Sequence, residues 1–344
     1  MKCTNYYTPY CAEWAGMRVY NRETGHFFDM HLRPINDEKT ILSGTYHVSR
    51  FYKSGYYTTD QITLGDAVGN QRYEGHGSIG FRLYINNPLE DLIPPEFIEE
   101  SFRVDINEIE MEGHQVFEVS VSFEIIEDNI QMGASAHLFV NAIDANTYSY
   151  QQRGDYCFEE ERIFIRFYFT QFYPNAYYDF GTLRIFDIGG NETMIHLHMI
   201  EGFNDEHMFY LDTLTPDYEP PELDLNRIEV YSEPINPDAP NGETLLRIHY
   251  YARDNLSGLG TVTYAIRNPL GVVFGDYHYH GNSFLFFIGD PTAWTKYTIE
   301  KILPAGSVPG TWGLLEISLS DKPGNKYVYN FSEIVTFQVL EEED

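Results

Sequence analysis

Apolar and polar residues alternate in short runs along this chain. Residues 61–64 (Gln-Ile-Thr-Leu), 182–185 (Thr-Leu-Arg-Ile) and 315–319 (Leu-Glu-Ile-Ser-Leu) each put their apolar side chains on one face of an extended strand. Longer runs at 116–126 and 244–252 do the same. Clusters of Gly, Pro, Asn and Asp separate the runs. No long stretch keeps the helical period of about 3.6 residues. The pattern therefore predicts an all-β chain of short antiparallel strands. The best helical segment, 95–101, is short enough to be only a turn.

The turns themselves repeat. Asp66-Ala67-Val68-Gly69-Asn70, Asp187-Ile188-Gly189-Gly190-Asn191 and Asp321-Lys322-Pro323-Gly324-Asn325 share the form D-x-x-G-N, each after an alternating run. Asp187 lies 121 positions after Asp66, and Asp321 lies 134 after Asp187. Each step has the size of one β-sandwich domain. The motif predicts a hairpin: Asp accepts backbone N–H bonds two and three residues on, Gly takes the position with positive φ, and Asn opens the return strand. Other landmarks recur in the same order. Pro94-Pro95-Glu96 and Pro220-Pro221-Glu222 each precede a strand-like stretch, 102–109 and 225–231. Turns follow at Glu112-Gly113 and Asn241-Gly242, then a long strand ending in Asp128-Asn129 or Asp254-Asn255. Three domains are expected, at 1–93, 94–216 and 217–344. The first lacks room for the opening two strands, so it is expected to be incomplete or completed by other means.

This order resembles the Ig-like repeats of bacterial cell-surface proteins. In those repeats a linker with Asp, Thr and Pro leads into the domain, a D-x-S-G turn lies in its first half, and a Trp-containing strand runs into D-x-x-G-N. The third copy matches best, with Asp212-Thr213-Leu214-Thr215-Pro216, Asp254-Asn255-Leu256-Ser257-Gly258 and Gly310-Thr311-Trp312 through Asn325. In the second copy Phe180-Gly181-Thr182 stands for the Trp segment. The first keeps the hairpin, preceded by Gly44-Thr45-Tyr46. The resemblance implies tandem Ig-like or fibronectin type III-like sandwiches. It also implies a non-catalytic stalk, spacer or adhesion role outside the cell, against a protein or glycan on another surface. The alternative is a set of carbohydrate-binding modules attached to a secreted glycan-degrading enzyme.

Composition narrows this further. The formal net charge is −30 over 344 residues, which disfavours nucleic acid and anionic lipid and suits cations. A solvated acidic surface is the ordinary explanation of such charge. Three cysteines, Cys3, Cys11 and Cys157, make neither a disulfide scaffold nor a zinc site. No apolar run is long enough to predict a membrane-spanning helix. The first residues lack the apolar core of a signal peptide.

Candidate chemistry is sparse. The hairpin residues Asp66, Asp187 and Asp321 are read as turn caps, since one carboxylate is far short of the six to eight oxygens Ca²⁺ takes. Acidic residues flanking the two Pro-Pro junctions are the better Ca²⁺ candidates: Glu90, Asp91, Glu96, Glu99 and Glu100 at one, Asp217, Glu219, Glu222 and Asp224 at the other, with Glu96, Asp217, Glu219 and Glu222 foremost. A self-repelling solvated linker is their alternative. Asp276, His278 and His280 would share one strand face but spread over about 13 Å, too far for a tight metal site. His196 and His198 form a similar pair. Among many tyrosines, Tyr177, Tyr178, Tyr277 and Tyr279 are candidates to stack on a sugar or a protein partner, with sheet packing as the alternative. No nucleophile elbow, metalloprotease motif or phosphate loop is present, so no enzyme is expected.

Overall fold

A computed structural model describes residues 14–36, 41–59, 61–65, 71–74, 81–129, 133–143, 150–279 and 285–341, with only the backbone at 71–74, 277–279 and 332–333. Among the described residues the chain is all-β apart from a few short helical turns, and every strand pairing is antiparallel. The 95–101 segment becomes a two-residue strand, Glu96–Phe97, and a 3₁₀ turn, Glu99–Ser101. Among the described residues, three sets of strands, spanning 14–85, 96–211 and 222–339, share no ladder. Each set has its own buried apolar cluster.

The third region is the most regular. One four-stranded sheet centres on Thr244–Arg253, flanked by Glu229–Pro234 and Thr295–Leu303. The other runs Val273–Tyr279, Leu259–Arg267, Gly310–Asp321, Lys326–Val339. The alternating pattern decides which side chains are shared. Leu246, Ile248 and Tyr250 from the first sheet meet Val262, Tyr264, Ile317 and Leu319 from the second, all nearly free of solvent.

In the second region the equivalent layers fuse into one eight-stranded sheet. The strand Tyr150–Cys157 pairs with Ala134–Ala142 on one side and Arg162–Thr170 on the other. Gly154 permits this crossing, because a Cβ there would lie 2.1 Å from the Phe164 carbonyl oxygen. In the first region the described strands form a single sheet. Trp14–Asn21 lies between Phe27–Pro34 and the strands Gly55–Thr58 and Ile62–Gly65, and Arg82–Ile85 adds to Gly55–Thr58. This is the layer that in the third region holds the D-x-x-G-N hairpin. The hairpin of the first region, Asp66 to Asn70, lies outside the described residues.

One buried aromatic per region fixes the corner before that hairpin. Tyr57, Tyr178 and Trp312 each stand nine residues ahead of the hairpin Asp. Each donates to the backbone carbonyl four residues earlier: Tyr57 Oη to Lys53 O at 2.8 Å, Tyr178 Oη to Pro174 O at 3.1 Å, Trp312 Nε1 to Val308 O at 2.8 Å. So the Trp position is filled by Tyr57 and Tyr178, not by the segments around Tyr46 and Phe180. Tyr178 is wholly buried among Phe169, Tyr173 and Phe209, out of reach of any sugar ring, which corrects the reading of it as a binding residue. Tyr178→Phe should keep the packing, orphan the Pro174 carbonyl and cost about 1–3 kcal/mol. Urea unfolding measures this, and an unchanged midpoint would remove the corner bond from the account.

Candidate functional site

The two junctions are built alike. At each, an aspartate in the linker reaches back with its backbone and forward with its side chain. The Asp91 N–H donates to Phe51 O in the first region at 2.8 Å, and the Asp217 N–H donates to Phe172 O in the second, also at 2.8 Å. The D-x-x-G-N hairpin of the following region grips the same residue. Asn191 Nδ2 donates to Asp91 O at 3.3 Å, and Asn325 Nδ2 to Asp217 O at 3.0 Å. The hairpin tip also touches the preceding region. Gly190, with φ of 82°, packs so close to His26 that a Cβ would lie 2.2 Å from its Nε2. At the next junction Tyr150 Oη donates to Pro323 O at 2.9 Å.

The side chains of these linker aspartates enter two carboxylate clusters. Asp91 joins Glu127 and Asp187, and Asp217 joins Asp254 and Asp321. In each set one oxygen per residue lies within 4.8 Å of the others. The second set is almost sealed from water, with Asp217 and Asp254 each 1% exposed and Asp321 3%.

Local sequence explains each member. The Asp321 Oδ1 atom accepts from the backbone N–H of Gly324 at 2.7 Å and Asn325 at 2.6 Å, and Gly324 takes φ of 104°. These partners are three and four residues on, one step later than expected. Asp187 Oδ1 likewise accepts from Asn191 N at 2.7 Å. Asp254 Oδ2 caps its own turn, accepting from Leu256 N at 3.1 Å and Gly258 N at 2.7 Å, with φ of 86° at Gly258. Asp217 Oδ2 accepts from Ser257 N at 3.0 Å. In the first cluster the residue corresponding to Asp254 is Glu127, not Asp128, and Asn129 Nδ2 donates to Asp91 Oδ2. In both sets the equivalent residue keeps one buried carboxylate oxygen without a donor: Glu127 Oε2 and Asp254 Oδ1.

Desolvation by burial, reinforced by the charges of Asp217 and Asp254, pushes Asp321 up to about 8. Burial, with Asp187 and Asp91 nearby, pushes Glu127 up to about 7. Asp254 and Asp187 are raised for the same reason, burial first and a neighbouring carboxylate second among the raising causes.

Of the junction residues singled out from sequence, Asp91 and Asp217 are each in a cluster. Glu96, Glu219 and Glu222 are exposed and outside both, and Glu222 Oε2 pairs with Arg253 Nη2 at 2.8 Å. Tyr177 is 47% exposed beside Tyr210, ring centroids 5.0 Å apart. Tyr277 and Tyr279 fall on the Val273–Tyr279 edge strand. Their side chains, with those of His278 and His280, lie outside the described residues, as do Cys3 and Cys11. His196 and His198 have ring centroids 5.8 Å apart, with His196 bonded to Thr182 Oγ1 at 3.2 Å. Asp276 is held by Lys301 Nζ at 2.8 Å. Among the described residues no helix is long and apolar enough to cross a membrane.

No protein-family model matches this chain, and no curated protein does. Among solved structures it is similar to dimeric latent PorU from Porphyromonas gingivalis, at 11% identity and TM-score 0.22, over 96% of this chain and 30% of that one. It is also similar to a leucine-rich repeat protein from Bacteroides thetaiotaomicron, at 11% identity and TM-score 0.17, over 60% of this chain and 24% of that one.

Two outcomes follow from the junction chemistry. In a chelating buffer, folded Asp321 holds its proton up to about pH 8, whereas the unfolded side chain releases it near the ordinary carboxylate value, about 4. The folded state then binds more protons, so stability falls as pH rises through this window. Burial lowers His26, His137 and His207, so these are neutral in both states above about pH 7, and it lowers Lys322 as well, a contribution of opposite sign that Asp321→Asn, which keeps Lys322, separates from the carboxylates. Thermal unfolding should therefore give a lower Tm at pH 9 than at pH 7, and a flat or rising Tm would contradict the raised carboxylates. Asn325→Ala removes the bonds to Asp217 O and Asp321 Oδ2. It should destabilise the third region by about 1–3 kcal/mol in urea titration, with an unshifted midpoint as the contrary result.

Proposed function

We propose that this chain is a non-catalytic tandem of Ig-like sandwiches acting outside the cell as a stalk or adhesive array on a bacterial surface. The observation that carries the reading is the recurrence of one junction at both boundaries. A linker aspartate bonded to the region behind and clustered with the region ahead makes a fixed step between modules. Such a step suits a spacer that must hold a partner-binding end at a set distance. Inter-domain interfaces otherwise leave relative motion as the default.

The Ig-like assignment is supported by the strand order of the third region, where two sheets share one core. It is also supported by the aromatic corner at Tyr57, Tyr178 and Trp312, since a Tyr bonded to upstream backbone at this corner is a feature of immunoglobulin-type sandwiches. A surface location is consistent with the strongly acidic composition, which keeps a projecting module soluble.

A second reading, glycan recognition, is favoured by the exposed pair Tyr177 and Tyr210. Their rings are inclined by 57°, so they offer no single flat platform. The two readings part under experiment. Small-angle X-ray scattering of the full chain should fit one rigid arrangement of the three regions, and Asp217→Ala should broaden it. A wild-type curve that requires an ensemble of freely hinged regions would contradict the spacer. Specific binding on a glycan array, lost in Tyr177→Ala, would favour the second reading instead.

A further inference from the structure

Three carboxylates packed together without water are costly unless a counter-charge or a proton joins them. The charges of Asp217 and Asp254 raise Asp321, and those of Asp187 and Asp91 raise Glu127. Turn capping explains several of the carboxylate oxygens but not all. Asp254 is 1% exposed and its Oδ2 serves the turn, while its Oδ1 is buried with no donor. Glu127 Oε2 is orphaned at the same place in the other cluster. A fold that only needed a cap would not seal a bare carboxylate oxygen beside two further carboxylates, twice.

We propose that each cluster is a binding site for a hard divalent cation of the calcium class, held by Asp217, Asp254 and Asp321 at one junction and by Asp91, Glu127 and Asp187 at the other. The donors are all oxygen, which selects Ca²⁺-like ions over the metals that prefer imidazole or thiolate. The geometry suits the ion: oxygens about 2.4 Å from a shared Ca²⁺ are at most twice that apart, and each set lies within 4.8 Å. One oxygen from each of the three carboxylates converges, so waters and carbonyls would supply the rest of the six to eight that Ca²⁺ takes. A cation there ties linker, first-half turn and hairpin together, so it couples the register of one region to the next. The site stands on these residues whether or not the array serves as a spacer.

The test uses the full chain, stripped with EGTA and titrated with CaCl₂ by calorimetry, with circular dichroism to confirm folding of each variant. Ca²⁺ should bind and raise the Tm by several degrees, because it binds only the folded state. Asp254→Asn and Glu127→Gln, which keep shape and remove charge, should each delete one site, and the double variant should lose both. Tb³⁺ gives a second readout. Tyr173 and Tyr297 feel the charges of Asp321 and Asp254 and would sensitise its luminescence, which CaCl₂ should quench by displacement, Asp254→Asn should reduce and the double variant should abolish. No Ca²⁺ heat and no Tm shift, with Asp254→Asn raising the Tm of the stripped protein, would overturn the site and leave a cluster that simply shares protons. Binding that survives both substitutions unchanged would overturn it too. A flexible scattering profile with Ca²⁺ bound would refute the spacer alone.

Discussion

The structure turns on the burial of like charges at two junctions. Asp217, Asp254 and Asp321 come from a linker, a first-half turn and a final hairpin, and they meet with almost no access to water. Nothing in strand propensity requires this. Each aspartate has a local reason to be where it is, as the cap of its own turn. Their convergence is the product of the fold: the ladder between Leu259–Arg267 and Gly310–Asp321 sets Leu259, just past the Asp254 turn, opposite Asp321. The result is a site whose energy depends on what neutralises it, a proton or a cation.

This dependence reaches across region boundaries because the linker aspartate belongs to both sides. Its amide is bonded to the preceding region and its carboxylate to the following one. The hairpin that holds it also leans on the preceding region, through His26 at Gly190 in one case and Tyr150 at Pro323 in the other. Different side chains perform the same contact, each at or just before the start of a strand. Stacking of His114 on Phe286, with centroids 4.5 Å apart, adds an apolar contact between the second and third regions. The geometry of one module relative to the next is thus set by few residues, most of them polar and buried.

Much of the fold was legible because β-structure writes its period directly into the sequence. The runs at 116–126 and 244–252 became the strands His114–Phe123 and Thr244–Arg253, with alternating residues facing the core. The hairpin motif was legible as a turn because Asp, Gly and Asn each have a local role there. The clusters were not, since their members are 37 to 104 positions apart within the third copy, and only the sheet brings them together. Asp217 was found because it flanks a Pro-Pro junction, but so do Glu219 and Glu222, and charge density alone cannot tell a buried carboxylate from a solvated one. Glu127 was passed over for Asp128 because Asp128-Asn129 matches the letters of Asp254-Asn255. One signal was available and unused: the aromatic nine residues before each hairpin Asp, which places Tyr178 in the core rather than on the surface.

Locking of neighbouring regions by the linker aspartates, through a neutralised carboxylate cluster, is the property proposed for both junctions. Spin labels on exposed strands of the second and third regions, read by double electron–electron resonance, address it most directly. With CaCl₂ the distance distribution should be single and narrow, and with EGTA at pH 9 or in Asp254→Asn it should broaden. A distribution of the same width under all three conditions would mean that the cluster has no part in holding the junction.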